Sequence, residues 1–232
     1  MSFTFPTLWY KPAPEALDLI DKSPNVHKLD LGSGGTFYVF LPSGNRAAGT
    51  GFIFYPGGFI DARAYALLMQ DIAAAGYTAV IAAMPLNLAV LGSSRAGNIM
   101  ARFPEIEKWA LGGHSLGGVM ACRYVKSGKA DISGLVLLAS YPSERFRVDH
   151  LPLKAVSIYA SCDGLIQQST IEESRQHLPA GTRFIEIQGG NHSQFCALAP
   201  GSLYRGDNPA SITLAEQQQA IAGAVADFLG SI

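Results

Sequence analysis

From Gly51 onward the chain alternates short, nearly unbroken apolar runs with segments whose apolar residues recur at helical spacing, and few folds accept that alternation. A strand covered on both faces has no polar side, so it reads as a continuous apolar run. Parallel neighbours of this kind need a helix to carry the chain back. The runs at 51–55, 78–83, 108–112, 134–139, 155–160 and 183–188 predict strands of this type. Ahead of them, 26–31 alternates in polarity and meets 36–41 across Gly32-Ser33-Gly34-Gly35, which predicts an antiparallel hairpin. A strand follows these glycines where a phosphate cradle would need a helix, so they are turn residues.

The intervening helices have local signals. Asp61 is placed to cap the first, which carries Tyr65, Leu68 and Ile72 inward and stops at Gly76. Further helices are expected from Ser93-Ser94 to Pro104, after Gly117, and over 169–178. The last opens with a Thr213 to Glu216 capping box and repeats Ile221, Val225, Phe228 and Leu229 on one face. The expected class is α/β: a mostly parallel central sheet of about eight strands, an antiparallel N-terminal hairpin and helices on both faces. A length of 232 residues suits one domain, with 1–25 as an N-terminal extension packed on it.

Charge narrows the functions. A formal net charge of -1 supplies no basic footprint for nucleic acid. The segment from Ile72 to Ser94 carries no charged residue, but Gly76, Thr78, Pro85 and Asn87 divide it into a helix end, a strand and a loop, so no membrane span is expected. Cys122, Cys162 and Cys196 are odd in number and far apart, which fits neither a disulfide framework nor a zinc site and suits a reduced cytoplasm. Met1–Pro6 lacks the basic start and apolar core of a leader. No histidine pair has metal-ligand spacing, and no metal or cofactor is expected.

One motif carries chemistry. Gly113-His114-Ser115-Leu116-Gly117 lies between the apolar run Trp109-Ala110-Leu111 and the helix-like run 119–125, where a strand should end and a helix begin. A serine on so sharp a turn needs neighbours without a Cβ, because other backbone must pass close by. The turn lifts the hydroxyl clear of the sheet, and the Leu116 amide opens the helix unpaired beside it.

Ligands of open α/β sheets bind beyond the carboxyl ends of the strands. Ser161-Cys162-Asp163-Gly164 and Gly189-Gly190-Asn191-His192-Ser193-Gln194-Phe195 both follow predicted strands, so an acid and an imidazole join the serine at that end. The chain order Ser, Asp, His is that of α/β-hydrolases. With Tyr55-Pro56-Gly57-Gly58-Phe59 after the first core strand, these segments make 26–230 resemble the α/β-hydrolase superfamily. More narrowly, the chain resembles its small lidless members, the dienelactone-hydrolase-like proteins and α/β-hydrolase family five. The elbow carries Ser115 where dienelactone hydrolases carry cysteine.

The roles that follow are Ser115 as nucleophile, His192 as general base and Asp163 as the group that fixes the imidazole tautomer. The Leu116 amide and one from Gly58 or Phe59 would meet the developing oxyanion. Rival readings make Ser115 a plain turn residue, Asp163 a cap with Glu144 or Asp149 as the acid, and His192 a solvated loop residue. His114 reads as a packing residue and Cys162 as a small buried hydrophobe.

Only 140–154 separates two strands where many relatives insert a cap, so no lid domain is expected. Phe59, Ile60, Tyr141 and Phe195 are the candidates for lining an open site for a small or partly apolar acyl substrate. Tyr204-Arg205-Gly206-Asp207, in the long irregular stretch 193–212, reads as solvated loop. The expected function is a carboxylic-ester hydrolase working through an acyl-enzyme. Acyl transfer or thioester cleavage by the same intermediate, and a non-catalytic binding module on this fold, are the alternatives.

Overall fold

A computed structural model describes residues 9–43 and 49–232. The leader reading, made on Met1–Pro6, lies outside them. The strands are β1 (Val26–Asp30), β2 (Thr36–Phe40), β3 (Thr50–Tyr55), β4 (Thr78–Ala82), β5 (Lys108–His114), β6 (Gly134–Leu138), β7 (Lys154–Ala160) and β8 (Arg183–Ile187). They form one sheet in the order β1-β2-β4-β3-β5-β6-β7-β8. β1 and β2 pair antiparallel, β2 pairs antiparallel with β4, and β3 to β8 run parallel.

Side chains of β3 alternate between two cores. Phe52 and Phe54 enter the layer beneath α1 (Pro14–Lys22), α2 (Ala66–Ala74) and α6 (Leu214–Leu229), while Ile53 and Tyr55 enter the layer beneath α3 (Arg95–Met100) and α4 (Leu116–Lys126). All six β3 residues are buried, as an apolar run without polar alternation requires. Each buried phenylalanine or isoleucine contributes about 1.5–3 kcal/mol.

Helix signals are met with local adjustments. Asp61 accepts from the Arg63 amide at 3.0 Å, capping a 3₁₀ turn (Ala62–Tyr65) that leads into α2. The segment expected to run to Pro104 is helical only as α3, and the one expected over 169–178 splits into α5 (Gln168–Ser174) and a 3₁₀ turn. At α6 both halves of the Thr213–Glu216 capping box form. The connection from β6 to β7 holds nothing larger than a 3₁₀ turn at Glu144–Phe146, so no cap layer covers the sheet there. The charge-free stretch folds as the end of α2, strand β4 and two 3₁₀ turns, and among the described residues no helix is long and apolar enough to cross a membrane.

Sheet order places the site. The chain steps from β3 to β4 in one direction and then to β5 on the other side of β3, leaving a crevice between the carboxyl ends of β3 and β5. Backbone strain gathers at that end. The five non-glycine residues with positive φ among those described are Phe59, Leu86, Asn87, Ser115 and Ala139, which follow β3, β4, β5 and β6.

Candidate active site

Ser115 sits one residue beyond β5 at φ 51°, ψ -121°, and α4 begins with the next residue. Its amide donates to Leu138 O at 3.0 Å, and its carbonyl accepts from Ser140 Oγ at 2.8 Å. Two groups at the end of β6 therefore pin the turn. A Cβ on Gly113 would lie 2.4 Å from Gly117 C, and one on Gly117 would lie 2.0 Å from Tyr55 O and 2.5 Å from Pro56 O. Backbone atoms cannot swing aside like a side chain. Gly117→Ala is accordingly expected to destabilise the fold by at least about 3 kcal/mol, read as a lower denaturation midpoint; an unchanged midpoint would show that α4 and β3 separate freely.

The glycine loop after β3 has nearly all its polar groups in use. Gly57 N donates to Tyr65 Oη at 2.9 Å, Phe59 N donates to Asn87 O at 2.8 Å, and Phe59 O accepts from Tyr10 N at 2.8 Å. Gly58 O accepts from Tyr204 Oη at 2.9 Å. Among the described residues the amides of Gly58 and Leu116 have no hydrogen-bond partner. A Cβ on Gly58 would meet the Leu116 side chain at 3.3 Å, so the glycine loop and the start of α4 are close neighbours. Phe59, paired with Gly58 in the sequence reading, cannot supply a free donor because Asn87 holds its N–H.

Asp163 and His192 come together from the ends of β7 and β8. His192 Nδ1 donates to Asp163 Oδ2 at 2.8 Å, with side chains 0% and 3% exposed respectively. Asp163 Oδ1 accepts from the amides of Leu165 and Ile166, both at 2.8 Å, so the carboxylate is fixed on both oxygens. The donor role of Nδ1 leaves the Nε2 lone pair open, and Nε2 is buried without a hydrogen-bond partner. The His192 ring lies 4.5 Å from that of His114, the residue before Ser115. Asp149, weighed as a rival acid, is instead paired with Arg147 at 2.7 Å, and Glu144 is exposed on its 3₁₀ turn. Cys162, read as a small buried hydrophobe, is half-buried.

Asp207 lies in the stretch that reads as solvated loop, and the structure corrects that expectation. Its carboxylate is buried and accepts five hydrogen bonds. Oδ1 takes the amides of Gly164, His192 and Asn208 at 3.0, 3.3 and 2.9 Å; Oδ2 takes the Ser193 amide at 2.7 Å and the Ser193 hydroxyl at 2.6 Å. One carboxylate thus ties the Asp163 loop to the His192 loop. Gln217 at the start of α6 holds the same loop through both Asn191 backbone groups, at 3.0 and 2.8 Å. Nothing local in the sequence marks Asp207 or Gln217, since their partners lie far along the chain.

His114 is fully buried. Tyr65 Oη accepts from Gly57 N and is hydrogen-bonded to His114 Nδ1 at 2.8 Å. Burial and then the neighbouring His192 hold its pKa well below the usual 6.5. In the unfolded chain this histidine takes up a proton near pH 6.5 that the folded one refuses, so stability is present above that pH and is lost as pH falls below it. The expected slope from this group is about 1.4 kcal/mol per pH unit. Denaturant unfolding on both sides of that pH measures it, and His114→Gln should reduce the slope by one proton's worth.

The expected lining residues are placed differently from an open pocket. Ile60 and Phe195 are 0% exposed and belong to the core, Phe195 stacking on the His114 ring at 5.4 Å. Tyr141 lines a separate cavity of about 170 Å³ with Pro142, Thr170 and His177. Large cavities of about 630 and 670 Å³ lie against Lys108 and Lys154 at the opposite end of the sheet and between α2 and α6. Neither touches Ser115.

The sequence model of a family described as the alpha/beta hydrolase family matches residues 51–219. No curated protein sequence matches this chain. Among solved structures, Est1E from Butyrivibrio proteoclasticus superposes with a TM-score of 0.64 at 11% identity, over 89% of this chain and 99% of its own. MGS-M1, an alpha/beta hydrolase enzyme from a Medee basin deep-sea metagenome library, gives 0.62 at 17% identity, over 90% and 98%. The esterase domain of a Rhodothermus marinus protein gives 0.62 at 12% identity, over 89% and 95%. At these identities the likeness is one of fold.

Proposed function

The chain belongs to the alpha/beta hydrolase family, and from that membership we propose that it is a serine hydrolase of carboxylic esters working through an acyl-enzyme. The observation that carries the reading is the buried Asp163–His192 pair, whose Nε2 is left without a partner and whose imidazole ring lies 4.5 Å from that of His114, the residue before the strained Ser115. A neutral serine hydroxyl is a weak nucleophile and needs a base. His192 Nε2 takes the proton as Ser115 Oγ bonds to the ester carbonyl carbon. Asp163, which holds Nδ1–H, keeps the base in the correct tautomer and stabilises the imidazolium that forms.

The carbonyl electrons move onto oxygen, and the amides of Leu116 and Gly58 receive that charge. Two unpartnered amides on neighbouring segments support this role, and each such donor is worth about 10²–10³ in rate. Collapse of the adduct breaks the bond to the alkoxide, which leaves with the proton from Nε2. Water then repeats the sequence on the acyl-enzyme, releasing the carboxylic acid and restoring Ser115. The esterase domain of the Rhodothermus marinus protein, among the structural neighbours, agrees with an ester substrate. An aryl fluorophosphonate should add one phosphonyl group per chain, located by peptide mass at Ser115. An adduct elsewhere, or none alongside ester turnover, would sink the proposal.

A further inference from the structure

Tyr204 donates its hydroxyl to Gly58 O at 2.9 Å from 146 residues away. We infer that Tyr204 is a positioning residue of the reaction: it clamps the Gly58–Phe59 peptide so that the Gly58 N–H stays turned toward the site. The inference rests on the serine-hydrolase reading and adds to it the group that orients the second oxyanion donor.

The Gly58–Phe59 peptide is gripped at both polar ends, its carbonyl by Tyr204 and its N–H by Asn87 O at 2.8 Å. The planes before it are held as well, Gly57 N by Tyr65 Oη at 2.9 Å and Gly57 O by the Ile60 amide at 3.4 Å, and the Gly58 N–H is the donor left over. Glycine needs this help. Without a Cβ it samples more backbone conformations than any other residue, so an unheld Gly58 would spend much of its time with N–H turned away. Phe59 at φ 61° gives the same message, because a phenylalanine keeps that conformation only where its surroundings impose it.

Tyr204 is itself held in place. Its ring stacks on Tyr10 at 4.4 Å and meets the His192 ring edge-on at 5.6 Å. Its amide donates to Ser193 Oγ at 2.8 Å, which is bound in turn to Asp207. Tyr10 closes the frame from the other side: its N–H donates to Phe59 O, and its hydroxyl accepts from the Arg205 amide at 2.9 Å. The histidine loop and the oxyanion loop are thus set to one another through Tyr204 directly and through Tyr10 beside it.

Tyr204→Phe keeps the ring contacts and removes only the bond to Gly58 O. With p-nitrophenyl butyrate, kcat is expected to fall about 5- to 20-fold, with KM within about twofold and the melting temperature unchanged. A trifluoromethyl ketone, whose serine adduct carries an oxyanion, should lose affinity by the same factor as kcat/KM. The series separates hydroxyl from ring, since Tyr204→Leu should lower both kcat and stability while Tyr204→Phe lowers kcat alone. An unchanged kcat in Tyr204→Phe overturns the inference. So does a raised KM at constant kcat, which would mean that the hydroxyl touches substrate. Turnover surviving in Ser115→Ala would remove the underlying reading, and the inference with it. Loss in Ser115→Ala with an unaffected Tyr204→Phe overturns the inference alone.

Discussion

Ser115→Ala is expected to lower ester turnover by about four to six orders of magnitude with the fold retained, because the nucleophile is lost while the rest of the site survives. The remaining acceleration would come from amide donors and binding alone. Stability should change little, since Ser115 is anchored through backbone N–H and C=O, neither of which the substitution touches. Ser115→Gly sharpens the test. At φ 51° and ψ -121° any side chain is strained, and removing it should stabilise the fold by about 1 kcal/mol while activity stays abolished. A more stable and inactive glycine variant would identify the strain as held for function. Chemical denaturation and a turnover assay on the same preparations separate the two effects, and turnover within tenfold of the parent in either variant would exclude Ser115 as nucleophile.

Asp207→Ala is expected to lower both stability and activity. The substitution removes the acceptor of five hydrogen bonds and strands four amides and a hydroxyl at a buried position. Each stranded buried donor costs about 1–3 kcal/mol, and water entering the gap recovers part of it, so about 3–5 kcal/mol of stability should be lost. Activity should fall at least about 100-fold even well below the melting transition, because the loops bearing Asp163 and His192 lose their common anchor. Asp207→Asn is no rescue: its amide nitrogen would face donors. Asp163→Asn makes the contrast. It disturbs the imidazole tautomer, with about 10⁴ in rate at stake, and leaves Asp207 in place. Urea midpoints and ester turnover for the two variants should therefore diverge. Equal midpoints for Asp207→Ala and its parent would show that the carboxylate is dispensable to the loop.

Several features of this architecture can be read from residues in order. Unbroken apolar runs mark strands buried on both faces, so β3 to β7 and their parallel direction follow from pattern alone, while the edge strand β8, with Arg183 and Glu186, is only partly buried. Thr213 and Glu216 announce the start of α6 three residues apart. Gly113 and Gly117 announce a turn where backbone must approach backbone, and the position of Ser115, Asp163 and His192 just after apolar runs places all three at one end of the sheet. Each inference uses sequence neighbours, and the forces behind it, side-chain periodicity and local steric exclusion, act over a few residues.

Other features needed the folded chain. Asp207 is held by Gly164, 43 residues away, and by Ser193, 14 away; Tyr204 reaches Gly58 across 146. Ile60 and Phe195 look like pocket residues because they follow strands, yet they are core residues because α2, α6 and the histidine loop close over them. Phe59 looks equal to Gly58 as a donor until Asn87 is seen to hold its amide. A hydrogen-bond partner is chosen by geometry that exists only after the sheet has formed, and a buried amide is satisfied by whichever acceptor the fold brings within 3 Å or so. Sequence alone therefore determined the sheet, the elbow and the end of the sheet where polar residues gather. Tertiary structure decided which amides remain free and which carboxylate anchors the loops, because those outcomes depend on contacts between segments that no local pattern encodes.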